Sequence, residues 1–198
     1  MWFQVYLTST AGSSPALAGW NRMDRELQSL LAENPDPYTL AKVHDSLYPV
    51  VYRYVHFRLA DEEVCEDICS EVFLRLMSTL KDHHRPINNL KGWLLGTASH
   101  LINDHLRMSY SRPVEALQEY HPVADPSPEE AAENAWQQSR VRAALMKLTS
   151  DQQHVIALRF SEEYSLEETA RLMDRTVGAV KTLQYRALAA LRQILGEK

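Results

Sequence analysis

Seven side chains able to make hydrogen bonds crowd a short stretch near the C-terminal end: Arg175, Thr176, Lys181, Thr182, Gln184, Tyr185 and Arg186. Arg and Lys donate to phosphate oxygens, while Gln and Tyr can reach the edges of bases. Between Arg171 and Arg192 the bases are Arg171, Arg175, Lys181, Arg186 and Arg192, against Asp174 alone. A second set, Glu66, Asp67, Glu71 and Arg75, places Asp67, Glu71 and Arg75 at i, i+4 and i+8, one stripe of a helix. Such a stripe suits a charged partner helix; on the residues alone, a solvated face with an internal Glu71–Arg75 pair is the commoner explanation. A third set is the polar stretch Asp82–Asn89, which carries His83, His84, Arg85, Asn88 and Asn89.

Other chemistries find less support. Cys65 and Cys69 are four apart and could share a helix face, but neither C-x-x-C nor H-x-x-x-H partners lie nearby. Two buried core thiols explain them better, so no metal and no cofactor is expected. There is no nucleophile–base constellation, no P-loop and no Gly-rich dinucleotide turn, so an enzyme is not expected either. No apolar run of about 18 residues exists, and membrane insertion is not expected. Residues 1–20 are rather apolar, but no Lys or Arg precedes Arg22, so the basic region of a signal peptide is missing. Two cysteines form no disulfide framework, and a reducing, cytoplasmic setting follows.

The net charge of −5 argues at face value against nucleic acid, but its distribution reverses that. Six acids and no Lys or Arg lie between Pro113 and Gln138, whereas ten bases against seven acids follow from Ser139. Local charge is what phosphates feel.

Elements able to position these groups are helical throughout. Gly is scarce, at six residues, and apolar residues recur at helical spacing. Leu40–Arg58 offers Val43, Leu47, Val50, Val51, Tyr54 and Val55 to one face, with Pro49 expected to kink or divide the helix. Glu62–Leu80 aligns Val64, Ile68, Val72, Leu76 and Leu80, and Leu90–Met108 aligns Leu90, Leu94 and Leu101, with Trp93 beside them. Arg112-Pro113 ends this series, and a Pro-punctuated acidic linker follows. Beyond it, helices are expected over Ala135–Lys147, from Thr149-Ser150 to Phe160, over Leu166–Met173 and over Val177–Leu195. Thr149 with Gln152 and Ser165 with Glu168 form capping boxes, and Thr176 caps the last helix. A short helix, a tight turn at Asp174-Arg175 and a longer basic helix make a helix-turn-helix. The fold class is therefore all-α: two small helical domains, the first of three or four helices and the second a helix-turn-helix domain, joined by an acidic Pro-rich linker. The division is 1–22 as a flexible N-terminal extension, 23–112 as the first domain, 113–134 as the linker and 135–198 as the second domain. Met23 opens the cleaner pattern and is a second candidate start.

These residues carry a family likeness. Leu148–Leu191 resembles region 4 of the extracytoplasmic-function (ECF) sigma factors of the sigma-70 family. The likeness is carried by Leu148 with Gln152, Ala157-Leu158-Arg159-Phe160, Ser165 through Ala170, and Gly178-Ala179-Val180-Lys181. Leu47-Tyr48 with Val51 through Tyr54, Glu66-Asp67-Ile68 with Glu71 through Arg75, Leu90 through Leu95, and Asp104 through Arg107 resemble region 2. Ser99 and His100 stand where Arg and Asn are common in the family, and Leu183 where an arginine is frequent.

The resemblance implies a transcription initiation factor with core RNA polymerase, through its largest-subunit clamp helices and its flap, and promoter DNA as partners, and an anti-sigma protein as regulator. It implies polymerase binding through Glu66, Asp67, Glu71 and Arg75. It implies −10 contacts through His83, His84, Arg85, Asn88, Asn89, Trp93, His100 and Arg107, and −35 contacts through Arg175, Thr176, Lys181, Thr182, Gln184, Tyr185 and Arg186. Two rivals are a stand-alone helix-turn-helix regulator, which predicts strong binding to free duplex, and a helical interaction protein, which predicts none.

Overall fold

A computed structural model of the chain describes residues 26–31, 36–81, 87–110 and 128–196. Every regular element among them is a helix: α1 (26–31), α2 (Pro37–Arg58), α3 (Glu62–Lys81), α4 (Leu90–Tyr110), α5 (Pro128–Leu145), α6 (Ser150–Phe160), α7 (Leu166–Leu172) and α8 (Val177–Leu195). The extension at 1–22 and most of the acidic linker lie outside the described residues. None of the described helices is long and apolar enough to cross a membrane.

Helix α2 starts where Asp36 accepts a hydrogen bond from the Thr39 N–H at 2.7 Å and Pro37 presets the first turn. That bond holds the Asp36 carboxyl below its usual range. Pro49 does not divide the helix. It sits on the exposed side together with Asp45, whose carbonyl loses its helical donor, so water can satisfy that carbonyl. The opposite face buries Val43, Leu47, Val50, Val51, Tyr54 and Val55 against Ile68, Val72 and Leu76 of α3 and Leu90, Leu94, Leu95 and Ile102 of α4. Leu27 and Leu31 of α1 close this core. Cys65 and Cys69 belong to it, and burial pushes their thiols up to about 11 and about 12. They are protonated packing groups at neutral pH rather than thiolate ligands. Among the described residues, no group of three or more His, Cys, Asp or Glu is placed to share a metal ion.

In the second half, α5 begins at Pro128, so its first turns come from the stretch assigned to the linker. Proline at a first helical position followed by Glu and Ala favours a helix, and the sequence reading gave the prolines more weight than the residues after them. Both expected capping boxes form, Thr149 with Gln152 and Ser165 with Glu168, and Thr176 accepts from the Ala179 N–H at 3.2 Å. The turn between α7 and α8 puts Asp174 at a φ of 51°, left-handed backbone that Asp tolerates better than most residues. Gly196, at a φ of 73°, ends α8. A second core gathers Leu145, Leu148, Val155, Ile156, Val180, Leu188 and Leu191. Leu183 packs against it, which accounts for an apolar residue on a helix otherwise rich in donors.

The two halves pack on each other. Ala157, Leu158 and Tyr164 are buried in the first core, and Leu172 and Met173 pack against it. Helix α7 reaches α4 at Gly92, where an added Cβ would lie 2.8 Å from the Leu172 carbonyl oxygen and 2.3 Å from Asn89 Nδ2. Gly92→Ala therefore sets a helix-propensity gain of about 1 kcal/mol against an overpacking cost of about 1–3 kcal/mol. Because the obstacle includes backbone, the clash should win, with a net loss of about 1 kcal/mol in urea unfolding.

Candidate nucleic-acid interface

Helix α8 presents its donors unevenly. Lys181, Tyr185 and Arg186 are exposed, Tyr185 at 74%, and have no hydrogen-bond or ion-pair partner among the described residues. They fall on two successive turns, and the N-terminus of α8 adds N–H groups and a partial positive charge. This arrangement can take a phosphate backbone and leave Tyr185 for a base edge.

The other candidates on this segment already have work. Arg175 pairs with Asp151 at 2.6 Å. Thr176 caps α8, and the Thr182 hydroxyl donates to the Gly178 carbonyl at 3.0 Å. Gln184 is half-buried and accepts from Arg159 Nε at 3.0 Å, while Arg159 also donates to the Tyr164 carbonyl. A base contact by Gln184 requires breaking a made bond, so Tyr185 is the better-placed reader.

In the first domain, His83, His84 and Arg85 lie outside the described residues. Trp93 and His100 come together with Arg75, Ser78, Thr79 and Thr97 around one open cleft between α3 and α4. Trp93 also packs against the core, so its ring is held rigidly at the rim. A flat ring, a histidine, three hydroxyl groups and a guanidinium suit an unstacked base with its phosphate. Arg107 pairs with Asp104 at 3.4 Å on the exposed end of α4. Asn88 is exposed. Asn89 is engaged elsewhere: its Oδ1 accepts from the Gly92 N–H, and its Nδ2 donates to the Arg171 carbonyl at 2.8 Å.

On α3, Glu66 and Asp67 are exposed and Glu71 accepts from Arg75 Nε at 2.7 Å. Beside them Leu74 is 59% exposed and Met77 40%. The stripe is therefore charged with an apolar seam. The sequence reading singles out neither Leu74 nor Met77.

It missed another set altogether. Arg58 is buried and donates to Tyr54 Oη (3.3 Å), Ser99 Oγ (3.0 Å), Asn103 Oδ1 (2.7 Å) and Gln153 Oε1. Tyr54 Oη lies 2.6 Å from His154 Nδ1, and its ring meets the imidazole edge-on at 5.5 Å. Burial, then the Arg58 charge, push His154 down to about 4, so the ring is neutral at pH 7. Which of the Tyr54–His154 pair donates follows the imidazole tautomer. Nothing local marks these residues: Arg58 reads as an ordinary basic residue in a last helical turn, and Gln153 and His154 as the polar side of a short helix.

Comparison with known proteins gives two family matches: Sigma-70 region 2 over residues 43–111 and Sigma-70, region 4 over residues 144–193. The ECF RNA polymerase sigma factor BldN of Streptomyces coelicolor is 31% identical over 156 residues, spanning 78% of this chain and 59% of BldN's own length. The ECF RNA polymerase sigma factor SigD of Mycobacterium tuberculosis is 32% identical over 167 residues, 79% of this chain and 77% of SigD. SigX of Bacillus subtilis, another ECF sigma factor, is 29% identical over 161 residues, 78% and 82% of the two chains. Among solved structures, CnrH in complex with the cytosolic domain of CnrY matches with a TM-score of 0.60 at 21% identity, over 87% of this chain and 97% of that one. The sigma factor RpoE of Bartonella quintana, in complex with the anti-sigma factor NepR, matches with a TM-score of 0.54 at 19% identity, over 79% and 96%.

Proposed function

The chain belongs to the extracytoplasmic-function sigma factors of the sigma-70 family, and from that membership we propose that it joins core RNA polymerase, directs it to particular promoters and starts transcription there. The observation that carries the proposal is the exposed set Lys181, Tyr185 and Arg186 on the second helix of a helix-turn-helix, in a chain that also contains a region 2 domain. A stand-alone regulator has no use for that first domain.

The parts divide as follows. The stripe of Glu66, Asp67, Glu71 and Arg75, with Leu74 and Met77, meets the clamp helices of the polymerase largest subunit, and the C-terminal domain meets the flap. A charged face with an apolar seam is how one helix recognises another. The cleft with Trp93 and His100 holds an unpaired base of the −10 element; flipping costs roughly a few kcal/mol, which stacking and hydrogen bonds offset. Arg107 and Asn88 flank that strand, together with His83, His84 and Arg85. Helix α8 enters the major groove at −35. The protein breaks no covalent bond, needs no cofactor and works in the cytoplasm, where the polymerase is. An anti-sigma protein that covers both surfaces is the expected regulator.

The test is run-off transcription with purified core polymerase on a pool of genomic promoter fragments, with and without the chain. New discrete transcripts sharing −35 and −10 sequences are expected. An absence of both core binding and transcripts, alongside tight binding to free duplex, would move the assignment to the stand-alone regulator. On a fragment found this way, Lys181→Ala and Arg186→Ala should each weaken polymerase-dependent binding and reduce its salt slope by about 1, almost independently of sequence. Tyr185→Ala should relax the preference at a single −35 position and leave the slope unchanged.

A further inference from the structure

The main chain on either side of Asn88 is pinned. After it, Asn89 opens α4: its Oδ1 accepts from the Gly92 N–H at 3.0 Å, and its carbonyl accepts from the Trp93 N–H at 2.9 Å. Before it, Ile87 packs its side chain against the first core, and its carbonyl accepts from Gln28 Nε2 at 3.0 Å. The hydrogen-bond ladder of α4 starts at the Asn89 carbonyl, so the Ile87 carbonyl takes its donor from another element. That element is α1, and it is firmly seated. Leu27 and Leu31, on either side of Gln28, are 1% and 5% exposed in the same core. Gln28 itself is half-buried.

Asn88, between the two pins, is exposed. Its amide offers a donor and an acceptor side by side, which is what the edge of an unstacked base requires. Selection by such a group depends on where the backbone holds it. A mobile reader loses freedom at each encounter, whereas a preorganised one has lost it on folding. The pinned segment runs straight into the helix that carries Trp93, whose ring lines the α3–α4 cleft. Gln28 and Ile87 are 59 residues apart in sequence, so nothing local marks Gln28 as part of this machinery.

We propose that Gln28 is a positioning residue for −10 recognition: its hydrogen bond to the Ile87 carbonyl fixes the main chain so that Asn88 selects one base. The pin stands on the geometry alone; its role in recognition rests on the sigma-factor reading.

Three substitutions separate the hydrogen bond from the packing. Gln28→Met keeps the length and loses the donor, Gln28→Glu sets a carboxylate against the Ile87 carbonyl, and Gln28→Lys returns a nitrogen donor of similar reach. In the free chain, NMR relaxation of the backbone amides should give Asn88 an order parameter in the rigid range of about 0.85. That value should fall towards about 0.6 in Gln28→Met and Gln28→Glu and stay high in Gln28→Lys. With core polymerase, run-off transcription on a promoter fragment changed one base at a time gives the preference at each −10 and −35 position. Asn88→Ala marks the position that Asn88 reads by flattening the preference there. Gln28→Met should lower the preference at that same position about fivefold and leave the −35 preferences unchanged. It should add nothing further to Asn88→Ala, because it acts only through that side chain. Gln28→Lys should keep the preference.

Unchanged amide motion in both Gln28→Met and Gln28→Glu overturns the pin. Three results overturn the positioning role and leave the sigma reading intact: loosened amides with an unchanged preference at the Asn88 position, a loss spread evenly over −10 and −35 positions, or an Asn88→Ala chain with every −10 preference retained. An unaltered chain that drives no transcript with core polymerase overturns the sigma reading and the recognition role together, and the amide measurement still decides the pin.

Discussion

Arg58→Met should lower the unfolding free energy by about 2 kcal/mol, measured by urea denaturation, a large effect for a residue with no assigned contact to DNA or polymerase. Two opposed effects set the size of the loss. Arg58 is buried without a carboxylate partner and its Nε is unpaired, so removing the charge relieves a desolvation cost. Against this, the guanidinium serves four acceptors on three helices, and methionine replaces only its stem. Tyr54 and Asn103 keep other bonds, to His154 and Ser150, and Ser99 keeps the Tyr54 hydroxyl, but Gln153 Oε1 would be left buried and unpaired. Such an orphan costs about 1–3 kcal/mol. The orphan term exceeds the relief as long as the domains stay docked. Unchanged stability would mean that the domains separate at no cost and that the guanidinium ties nothing together.

A fall in pH from 7.5 to 5 should weaken the docked form by about 2 kcal/mol through His154 alone. Its value is about 4 in the structure against an ordinary value near 6.5. A depressed histidine value means that the proton prefers the opened or unfolded chain. The stabilisation is therefore fully present above pH 6.5 and is lost progressively as the pH falls towards 4. The groups around the ring point the same way on balance. Arg58, His100 and Arg175 oppose a charge there, and Asp151 alone favours it. His56 is also pushed down, by burial and then by Arg142, and adds a dependence of the same sign. His154→Gln isolates the effect: that variant should lose most of the slope of stability against pH between 7.5 and 5. A slope identical to that of the unchanged chain would place the titration elsewhere.

What could be read in advance was whatever depends on neighbours along the chain. Thr149 with Gln152, Ser165 with Glu168, and Thr176 announce helix starts because a capping side chain bonds an N–H three residues on. The apolar faces of α2, α3 and α4 follow from a 3.6-residue period. The same logic left open whether Pro49 kinks or divides α2, which runs on through it with the proline on its wet side, and it misplaced the start of α5.

The candidate donors were legible as a helix face but not one by one. Lys181, Tyr185 and Arg186 have no partner among the described residues, while Arg175, Gln184 and Asn89 are occupied by Asp151, Arg159 and Arg171. Those partners lie 24, 25 and 82 residues away in sequence, and no local pattern encodes them. Ser99 shows the same limit from the other side. As a departure from the family it reads as lost phosphate affinity; in the fold it is the buried hydroxyl that makes room for Arg58.

The most direct measurement is the affinity for one promoter fragment, found by run-off transcription, of the free chain and of the chain bound to core polymerase, each against a scrambled fragment. Division of promoter recognition between two domains predicts weak binding with little preference for the free chain, and a preference of about a thousandfold or more once core is bound. Tight, sequence-specific binding by the free chain, unimproved by core polymerase, would contradict it.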